Sequence, residues 1–331
     1  MRVAVLGSGR MAHVYGPKIA AHHGMELACF FNPDPGSASA KEAAGAYGGR
    51  AVHDLDAALE AADAVVIATP TNTHLEYIEA CAGAGKPIYC EKPLDQDLAR
   101  VDRCLAALRA HPVPFMLGFN RRFDPDNARV RRAVQDGELG ALTFLMSWSR
   151  EPAPPPISYV RGSGGYFVDA TIHDIDLLCW IAGERPVEVF AAGSNLFDPA
   201  IGAEGDVDAT MSTLKMPSGL LCHVNNSRAC SYGFDQRLEA FGRTAMVQTR
   251  NHRDDTLIRW SADRTEAGAP LKHFFLERYD ASFDIALDAF YRDVTEGRAP
   301  SPTAEDGRAA LAIALALDES RRTGRAVAPA C

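Results

Sequence analysis

A histidine and three aspartates lie close together in the segment from Gly164 to Asp176, which reads GGYFVDATIHDID. If this segment is helical from about Val168, Asp169 and His173 lie four residues apart on one face, with Asp176 a further turn along. A carboxylate beside an imidazole can hold the ring in one tautomer and stabilise its protonated form. These residues therefore indicate a group that moves a proton near neutral pH.

The same residue types allow two other interpretations. On an amphipathic helix they also suit an N-cap, a buried imidazole with satisfied hydrogen bonds and a solvated acid. Asp169, His173 and Asp176 are metal ligands by type. The sequence has no HExxH motif and no second histidine clustered with them, so we expect no metal. Two further motifs decide between the structural and the catalytic interpretation.

The N-terminus carries the pattern of a dinucleotide-binding fold. Residues 2–6 (RVAVL) predict a strand, which is followed by the turn GSGRMA at 7–12 and a helical segment to Ala21. In such a GxGxxA turn the first glycine permits the tight turn and the second lets a pyrophosphate approach the backbone. The small third residue lets the helix pack closely on the strand, and the N–H groups at the helix start bind phosphate.

Strands and helices continue to alternate up to about residue 119. Strands are predicted at 26–31, 64–69 and 87–90, and helices at 41–47 and 73–84. This alternation predicts a parallel sheet covered on both faces, a Rossmann domain of residues 1–119. Because ligands bind at the carboxyl ends of such strands, the expected cofactor contacts are Gly7, Gly9, Arg10, Met11, Ala12, Asn32, Thr69, Pro70, Asn72, His74, Glu91 and Lys92.

Two of these positions bear on the choice of cofactor and on the chemistry. Asn32 stands at the end of the second strand, where enzymes that use NAD usually carry an acid for the ribose hydroxyls. An amide binds a hydroxyl without repelling a 2′-phosphate, and Pro33 adds no cation, so we expect NAD and leave NADP open. Lys92 precedes Pro93, which disfavours a helix there, so we expect its ammonium at a strand edge above the cofactor.

From about residue 120 the pattern changes to an α+β domain, residues 120–331, for substrate binding and oligomerisation. Helices are predicted at 125–136 and 169–182, and strands at 142–149, 186–194, 207–215, 219–226, 236–241 and 245–249. Such a run of strands predicts a mostly antiparallel open sheet, one wide face of which could be buried in an oligomer. A last helix is predicted at about 303–322, either within this domain or packed back on the N-terminal one.

Composition excludes several classes of protein. The 331 residues are 47% apolar and carry a formal charge of −9, with no basic stripe of the kind that binds nucleic acid. No run of about 18 apolar residues indicates a membrane span, and the N-terminus enters a strand at once, so we expect a cytoplasmic protein. The eight cysteines form no CxxC pair and predict reduced, buried thiols.

Four motifs together resemble one family. GxGxxA at the N-terminus, PTxxH after the fourth strand, CEKP after the fifth and GGxxxDxxxHDID in the second half are similar to the glucose–fructose oxidoreductase/inositol dehydrogenase/rhizopine catabolism (Gfo/Idh/MocA) superfamily. The resemblance covers essentially the whole chain. Long runs such as GFNRRFDP and NNSRACSYGFDQRLEAFG are similar to the branch of that superfamily that acts on inositols.

The resemblance implies a catalytic trio of Lys92, Asp169 and His173 and a reaction without a metal. Members of this kind oxidise a ring hydroxyl with a nicotinamide cofactor, so the expected substrate is a cyclic polyol or sugar and most specifically myo-inositol, oxidised to 2-keto-myo-inositol. The expected assembly is a homodimer or homotetramer formed through the C-terminal sheet.

A polyol needs many paired polar groups in its site. The expected substrate contacts are Asn120, Arg122, Tyr159, Asp169, His173, Asp176 and Tyr232. Two alternatives stay open: a dehydrogenase or reductase of another inositol isomer or sugar, and a sensor that binds cofactor and sugar without catalysis. The presence of the trio speaks against the sensor, because a binding module has no need of proton transfer.

Overall fold

The computed structural model describes residues 1–330 and divides the chain into two compact units. The first unit consists of Met1–Phe123 and Ala281–Arg308, and the second consists of Asp124–Asp280 and the chain from Ala309 onward. The first unit thus includes residues 281–308, which were predicted to belong to the domain of residues 120–331.

The N-terminal part of the first unit alternates strands and helices. Its strands are β1 (Arg2–Leu6), β2 (Glu26–Phe31), β3 (Arg50–Val52), β4 (Ala64–Ile67), β5 (Ile88–Cys90) and β6 (Phe115–Leu117). Its helices are α1 (Ala12–Ala21), α2 (Ser39–Tyr47), α3 (Leu55–Ala61), α4 (His74–Gly83) and α5 (Leu98–Ala110), with 3-10 turns at Thr71–Thr73 and Asn120–Phe123. All strand pairs are parallel, in the order β3-β2-β1-β4-β5-β6.

This sheet confirms the predicted Rossmann fold. The central strands β1 and β4 are apolar and buried almost throughout, as a sheet covered on both faces requires. Strand β4 ends at Ile67, two residues before the predicted end, so Ala68 and Thr69 belong to the loop at its carboxyl end. Asp54 and Asp97 begin α3 and α5 as N-caps, since their carboxylates accept from the backbone N–H three residues on.

The second unit contains a six-stranded sheet. Its elements in chain order are α6 (Pro125–Gln135), β7 (Leu142–Arg150), α7 (Ile157–Gly162), a π-helical turn (Phe167–Thr171), α8 (Ile172–Ala182), β8 (Glu188–Ser194), α9 (Pro199–Ala203), β9 (Ala209–Lys215), β10 (Leu221–Ser227), β11 (Asp235–Gly242), β12 (Met246–Gln248), β13 (Ile258–Arg259), β14 (Ala267–Gly268) and α10 (Phe275–Arg278). The sheet order is β12-β11-β7-β10-β9-β8. Every neighbouring pair is antiparallel except β10 with β7, so the mostly antiparallel sheet is confirmed.

Two long helices complete the chain. Helix α11 spans Asp280–Glu296 and α12 spans Ala304–Thr323, close to the predicted 303–322. Helix α12 contributes residues to both units, because the boundary between the units falls after Arg308, within this helix. In its first turns Gly307 packs against Leu94 and Leu117 so tightly that an added Cβ would lie 2.6 Å from Leu117.

The two faces of the second sheet differ in character. Alternate residues of β7, β9 and β10, such as Leu145, Leu214 and Val224, are fully buried on the inner face. The opposite face exposes large apolar side chains, which are Phe144, Phe190, Met211, Leu221, Phe241 and Met246. We call this set the outer apolar face.

The seven cysteines within the described residues are all free thiols, and six of them are buried. The eighth, Cys331, lies outside the described residues. None of the described helices is long and apolar enough to span a membrane.

Gly242 provides a test of the packing at the end of β11. An added Cβ there would lie 2.3 Å from the carbonyl oxygen of Leu139, a backbone atom that cannot move aside. We expect Gly242→Ala to lower the free energy of unfolding by about 1–3 kcal/mol. The control is Gly45→Ala within α2, where no atom lies within 4 Å and stability should rise by about 0.5–1 kcal/mol. Urea unfolding measures both, and shifts of equal sign would contradict the packing described.

Candidate active site

The GxGxxA turn joins β1 to α1 with two different uses of glycine. Gly7 has φ +112°, and a Cβ there would lie 2.6 Å from the carbonyl oxygen of Ala68, so only glycine fits between β1 and the end of β4. A Cβ added at Gly9 would meet no atom within 4 Å, so this glycine faces open space. Ala12, fully buried, begins α1. The turn therefore leaves its open side at a helix start, which suits a pyrophosphate.

The end of β2 holds a cluster of one amide and three hydroxyls. Nδ2 of Asn32 lies within hydrogen-bond distance of Oγ of Ser8 (2.9 Å), Ser39 (3.1 Å) and Ser37 (3.3 Å). Its Oδ1 accepts from the backbone N–H of Asp34 at 2.9 Å. The amide predicted to contact the ribose thus also contacts three serine hydroxyls. The sequence patterns did not predict these contacts, although two of the serines, Ser37 and Ser39, follow Asn32 closely in the chain.

His74 joins the loops after β4 and β5. Its ring is fully buried, with Nδ1 2.9 Å from the carbonyl oxygen of Pro93 and Nε2 3.0 Å from that of Thr69. Burial lowers the pKa of His74 below its ordinary value, and the two carbonyl acceptors oppose that shift. The ring, predicted as a cofactor contact, therefore holds two cofactor-side loops at the strand ends.

Glu91 anchors the backbone at Lys92. The carboxylate is buried and accepts from the hydroxyl of Tyr15 and, at 3.2 Å, from the backbone N–H of Lys92. Burial raises the pKa of Glu91, while the Tyr15 hydrogen bond and the nearby Lys92 charge act against it. Lys92, which is partly exposed, follows β5, and its peptide bond to Pro93 is cis.

Two predicted substrate contacts of the first unit have partners inside that unit. Asn120 donates to the hydroxyl of Ser282 at 3.0 Å, and Arg122 donates to Asp306 at 3.1 Å. Both side chains are buried. They fasten the residues after β6 to α11 and α12, and their contact with substrate stays a prediction.

In the second unit, Asp169 lies in the π-helical turn and His173 in the first turn of α8. The expected helix is therefore present, with its first turn widened. One oxygen of Asp169 accepts from the hydroxyl of Tyr159 at 2.8 Å, and the other lies 3.5 Å from a guanidinium nitrogen of Arg228. Tyr159, predicted as a substrate contact, thus orients the carboxylate from α7, and His173 is half-buried.

Asp174 fastens this helix to the sheet. Its fully buried carboxylate accepts from Ser147 of β7 at 2.5 Å and from Asn226 of β10 at 3.0 Å. Thr171 donates to the carbonyl oxygen of the Asn226 side chain at 2.7 Å. Asp176, one turn further along, is also buried. No role was predicted for Asp174 from the sequence. The signal that could have indicated a buried polar partner was the presence of Ser147 and Asn226 at inward-facing positions of their strands.

Tyr232 belongs to a second polar network. Its hydroxyl donates to Asp235 at 2.8 Å and accepts from Arg150 at 3.0 Å, while the residue is 54% exposed. Asp235 is buried, which acts to raise its pKa, but hydrogen bonds from Arg237, Asn251 and Tyr232 lower it. The exposed ring is consistent with a ligand contact, which stays a prediction.

Across residues 1–330, no three His, Cys, Asp or Glu side chains are placed to hold a metal ion.

Two family models match the chain. One, described as an oxidoreductase family with an NAD-binding Rossmann fold, matches residues 1–119. The other, the GFO/IDH/MocA C-terminal domain, matches residues 127–248.

Similar proteins cover nearly the whole chain. Inositol 2-dehydrogenase of Rhizobium meliloti is 39% identical over 322 residues, which are 97% of this chain and 96% of that protein. Myo-inositol 2-dehydrogenase of Thermotoga maritima is 42% identical over 265 residues, 80% of this chain and 79% of that protein. A crystal structure of a myo-inositol dehydrogenase from Corynebacterium glutamicum has a TM-score of 0.95 and 41% identity, covering 99% of this chain and 98% of that one.

The two glycines of the turn give opposite predictions for the same substitution. Gly7→Ala should lower the free energy of unfolding by about 1–3 kcal/mol, because alanine disfavours positive φ and meets Ala68. Gly9→Ala should unfold like the wild type but raise the Kd for NAD by about tenfold or more, or about 1.4 kcal/mol. Thermal unfolding and calorimetric titration with NAD measure the two effects, and an unchanged Kd in Gly9→Ala would refute a pyrophosphate site at this turn.

Proposed function

The chain belongs to the GFO/IDH/MocA family of oxidoreductases, and from that premise we propose that it oxidises myo-inositol to 2-keto-myo-inositol with NAD as hydride acceptor. The proposed substrate rests on the 39% identity, over 97% of the chain, to a protein named inositol 2-dehydrogenase. The NAD-binding Rossmann domain of residues 1–119 supplies the site for the cofactor. The open side of Gly9 and the start of α1 fit its pyrophosphate.

We assign the chemistry to Lys92, Asp169 and His173. His173 removes the proton from the hydroxyl group, and Asp169 compensates the charge that the imidazolium gains. Lys92 donates to the reacting oxygen and stabilises its alkoxide character. NAD, when bound at the strand ends of the Rossmann domain, would supply the acceptor for the hydride that leaves the same carbon.

The local structure supports these roles in each unit. Lys92 is held at the carboxyl end of β5, where ligands of parallel sheets bind, by the buried Glu91 beneath it. His173 is partly exposed and lies one turn from Asp169 on a helix that Asp174 clamps to the sheet. Tyr159, Asp176 and Tyr232, with Asn120 and Arg122, remain the proposed hydroxyl contacts.

A second copy of the chain is the proposed partner, packed against the outer apolar face. Monomeric proteins rarely expose a contiguous apolar surface of this kind, and a symmetric dimer buries the same patch of both copies. Within it, the rings of Phe144 and Phe241, on neighbouring strands, lie 6.2 Å apart. The free thiols of the described residues suit a reducing compartment, and we place the protein in the cytoplasm.

The catalytic assignment is tested by initial rates of nicotinamide reduction across myo-inositol, other inositol isomers and hexoses, each with NAD and with NADP. We expect the highest kcat/KM with myo-inositol and NAD. Lys92→Ala and His173→Ala should each lose about 10² to 10⁴ in rate, because each removes a group needed in the transition state. Arg109→Ala, at an exposed cation in the last turn of α5, is the control. Near-normal turnover in either catalytic variant, or no reduction with any inositol, would refute the proposal.

The assembly is tested by light scattering on the eluting protein. The wild type should have at least twice the chain mass of 35.7 kDa. Phe190→Glu combined with Met211→Glu places charge on the outer apolar face and should yield a smaller species. Leu257→Glu, at an exposed position beside β13, is the control and should leave the mass unchanged. A wild-type monomer, or equal dissociation in the control, would exclude this interface.

A further inference from the structure

A fully buried arginine lies beside the proposed catalytic acid. Arg228 follows β10 directly, and its side chain has no exposed surface. Its guanidinium lies 3.5 Å from Asp169, 3.5 Å from Asp206 and 3.8 Å from Glu151. The sequence patterns did not pair Arg228 with any of these three carboxylates. A buried cation requires such compensation.

The distances show that the cation is shared. Tight charge-assisted hydrogen bonds measure about 2.7–2.9 Å. The guanidinium nitrogens of Arg228 lie 3.5 to 3.8 Å from the carboxylate oxygens, so Arg228 forms a tight ion pair with none of the three carboxylates. Burial acts to lower the pKa of Arg228, but the carboxylates outweigh it and the pKa is raised. The guanidinium therefore stays charged, and this single cation compensates three carboxylates.

Neighbouring groups fix the cluster in place. The guanidinium carbon lies 4.3 Å from the centre of the Tyr166 ring, which stacks on it. Asp206 accepts from the backbone N–H of Tyr166 at 3.0 Å, so it is anchored to the segment that leads into the π-helical turn. Tyr159 of α7 holds the other oxygen of Asp169. The titratable and charged groups around Asp169 and Arg228 thus come from five segments. They are Glu151 after β7, Arg228 after β10, Tyr159 of α7, Asp206 of the loop before β9 and His173 of α8.

We propose that Arg228 is a positioning residue of the reaction: it holds the Asp169 carboxylate in place, and through Asp169 it sets the pH at which His173 becomes a base. This inference rests on the proposed function, since it takes Asp169 and His173 as the proton-transfer pair. Arg228 itself touches neither substrate nor cofactor in this assignment.

The sign of the effect follows from the charges. The Asp169 carboxylate stabilises the imidazolium, and the Arg228 cation offsets part of that negative charge. Removing the cation should therefore make His173 hold its proton to higher pH. Removing one of the competing carboxylates should do the opposite, because Arg228 then acts more strongly on Asp169.

Four variants of the full chain test this. Arg228→Gln removes the cation, Arg228→Lys keeps it without the planar fork, and Asp206→Asn removes one anion while retaining an acceptor for Tyr166. Arg278→Gln is the matched control, since Arg278 is similarly buried, paired with Asp124 and stacked 4.7 Å above Tyr279. It should unfold more easily without moving the titration of His173.

The titration midpoint of His173 is read by NMR on histidine-labelled protein without substrate, with its signal assigned by its loss in His173→Gln. Arg228→Gln should raise the midpoint by about 0.5–1 pH unit, Asp206→Asn should lower it by about 0.5, and Arg228→Lys should stay near the wild type. The low-pH limb of kcat/KM for NAD reduction should move in parallel. If Arg228→Gln does not fold, Asp206→Asn and Arg228→Lys still decide the question.

The two proposals fail in different ways. An unchanged or lowered midpoint in Arg228→Gln, or an unchanged midpoint in Asp206→Asn, overturns the role of Arg228 whatever the substrate. If the midpoints move as expected but no inositol reduces NAD, the positioning role stands and the proposed reaction falls.

Discussion

Charge buried beneath a helix must be compensated, and the helix that carries His173 depends on that requirement. The Asp174 carboxylate points into the sheet with no exposed surface and is stabilised by Ser147 and Asn226 on two neighbouring strands. A shift of the helix would leave the carboxylate unpaired at a cost that few other contacts could offset. Because β7 and β10 supply the two donors, the parallel pair of this sheet fixes where His173 and Asp169 lie.

The same requirement shapes the first unit, where buried polar groups hold the loops at the carboxyl ends of the strands. His74 connects the backbone after β4 with the backbone after β5, and Glu91 connects the end of β5 to α1 through Tyr15. Lys92 thus emerges from a backbone that is tied on both sides. The open side of Gly9 lies on the turn after β1, the strand next to β4 in the sheet. The groups proposed for cofactor binding, together with Lys92, therefore lie along one edge of this sheet.

Local patterns in the sequence were sufficient for the elements, and much less so for the partners of the side chains. Strands 2–6 and 26–31 are found at the predicted residues, because an apolar strand beside a glycine turn is a local signal. The predicted helix at 169–182 begins earlier, with a π-helical turn that no periodicity marks. Arg228, Asp206 and Glu151 meet only because the order of the strands brings distant segments together. The motif shared with the family identifies Asp169 and His173 in the sequence, but it does not indicate that the buried Arg228 lies beside Asp169.

Oxidation at carbon 2 of the substrate can be followed by the transfer of a labelled hydride. Myo-inositol carrying deuterium at carbon 2 is offered to the wild-type protein with NAD, and the reduced cofactor is analysed by mass spectrometry. If the protein oxidises this carbon, the deuterium appears in the nicotinamide ring and the rate falls relative to unlabelled substrate. Reduced cofactor without deuterium would contradict oxidation at that carbon, and no reduced cofactor at all would contradict the proposed dehydrogenase.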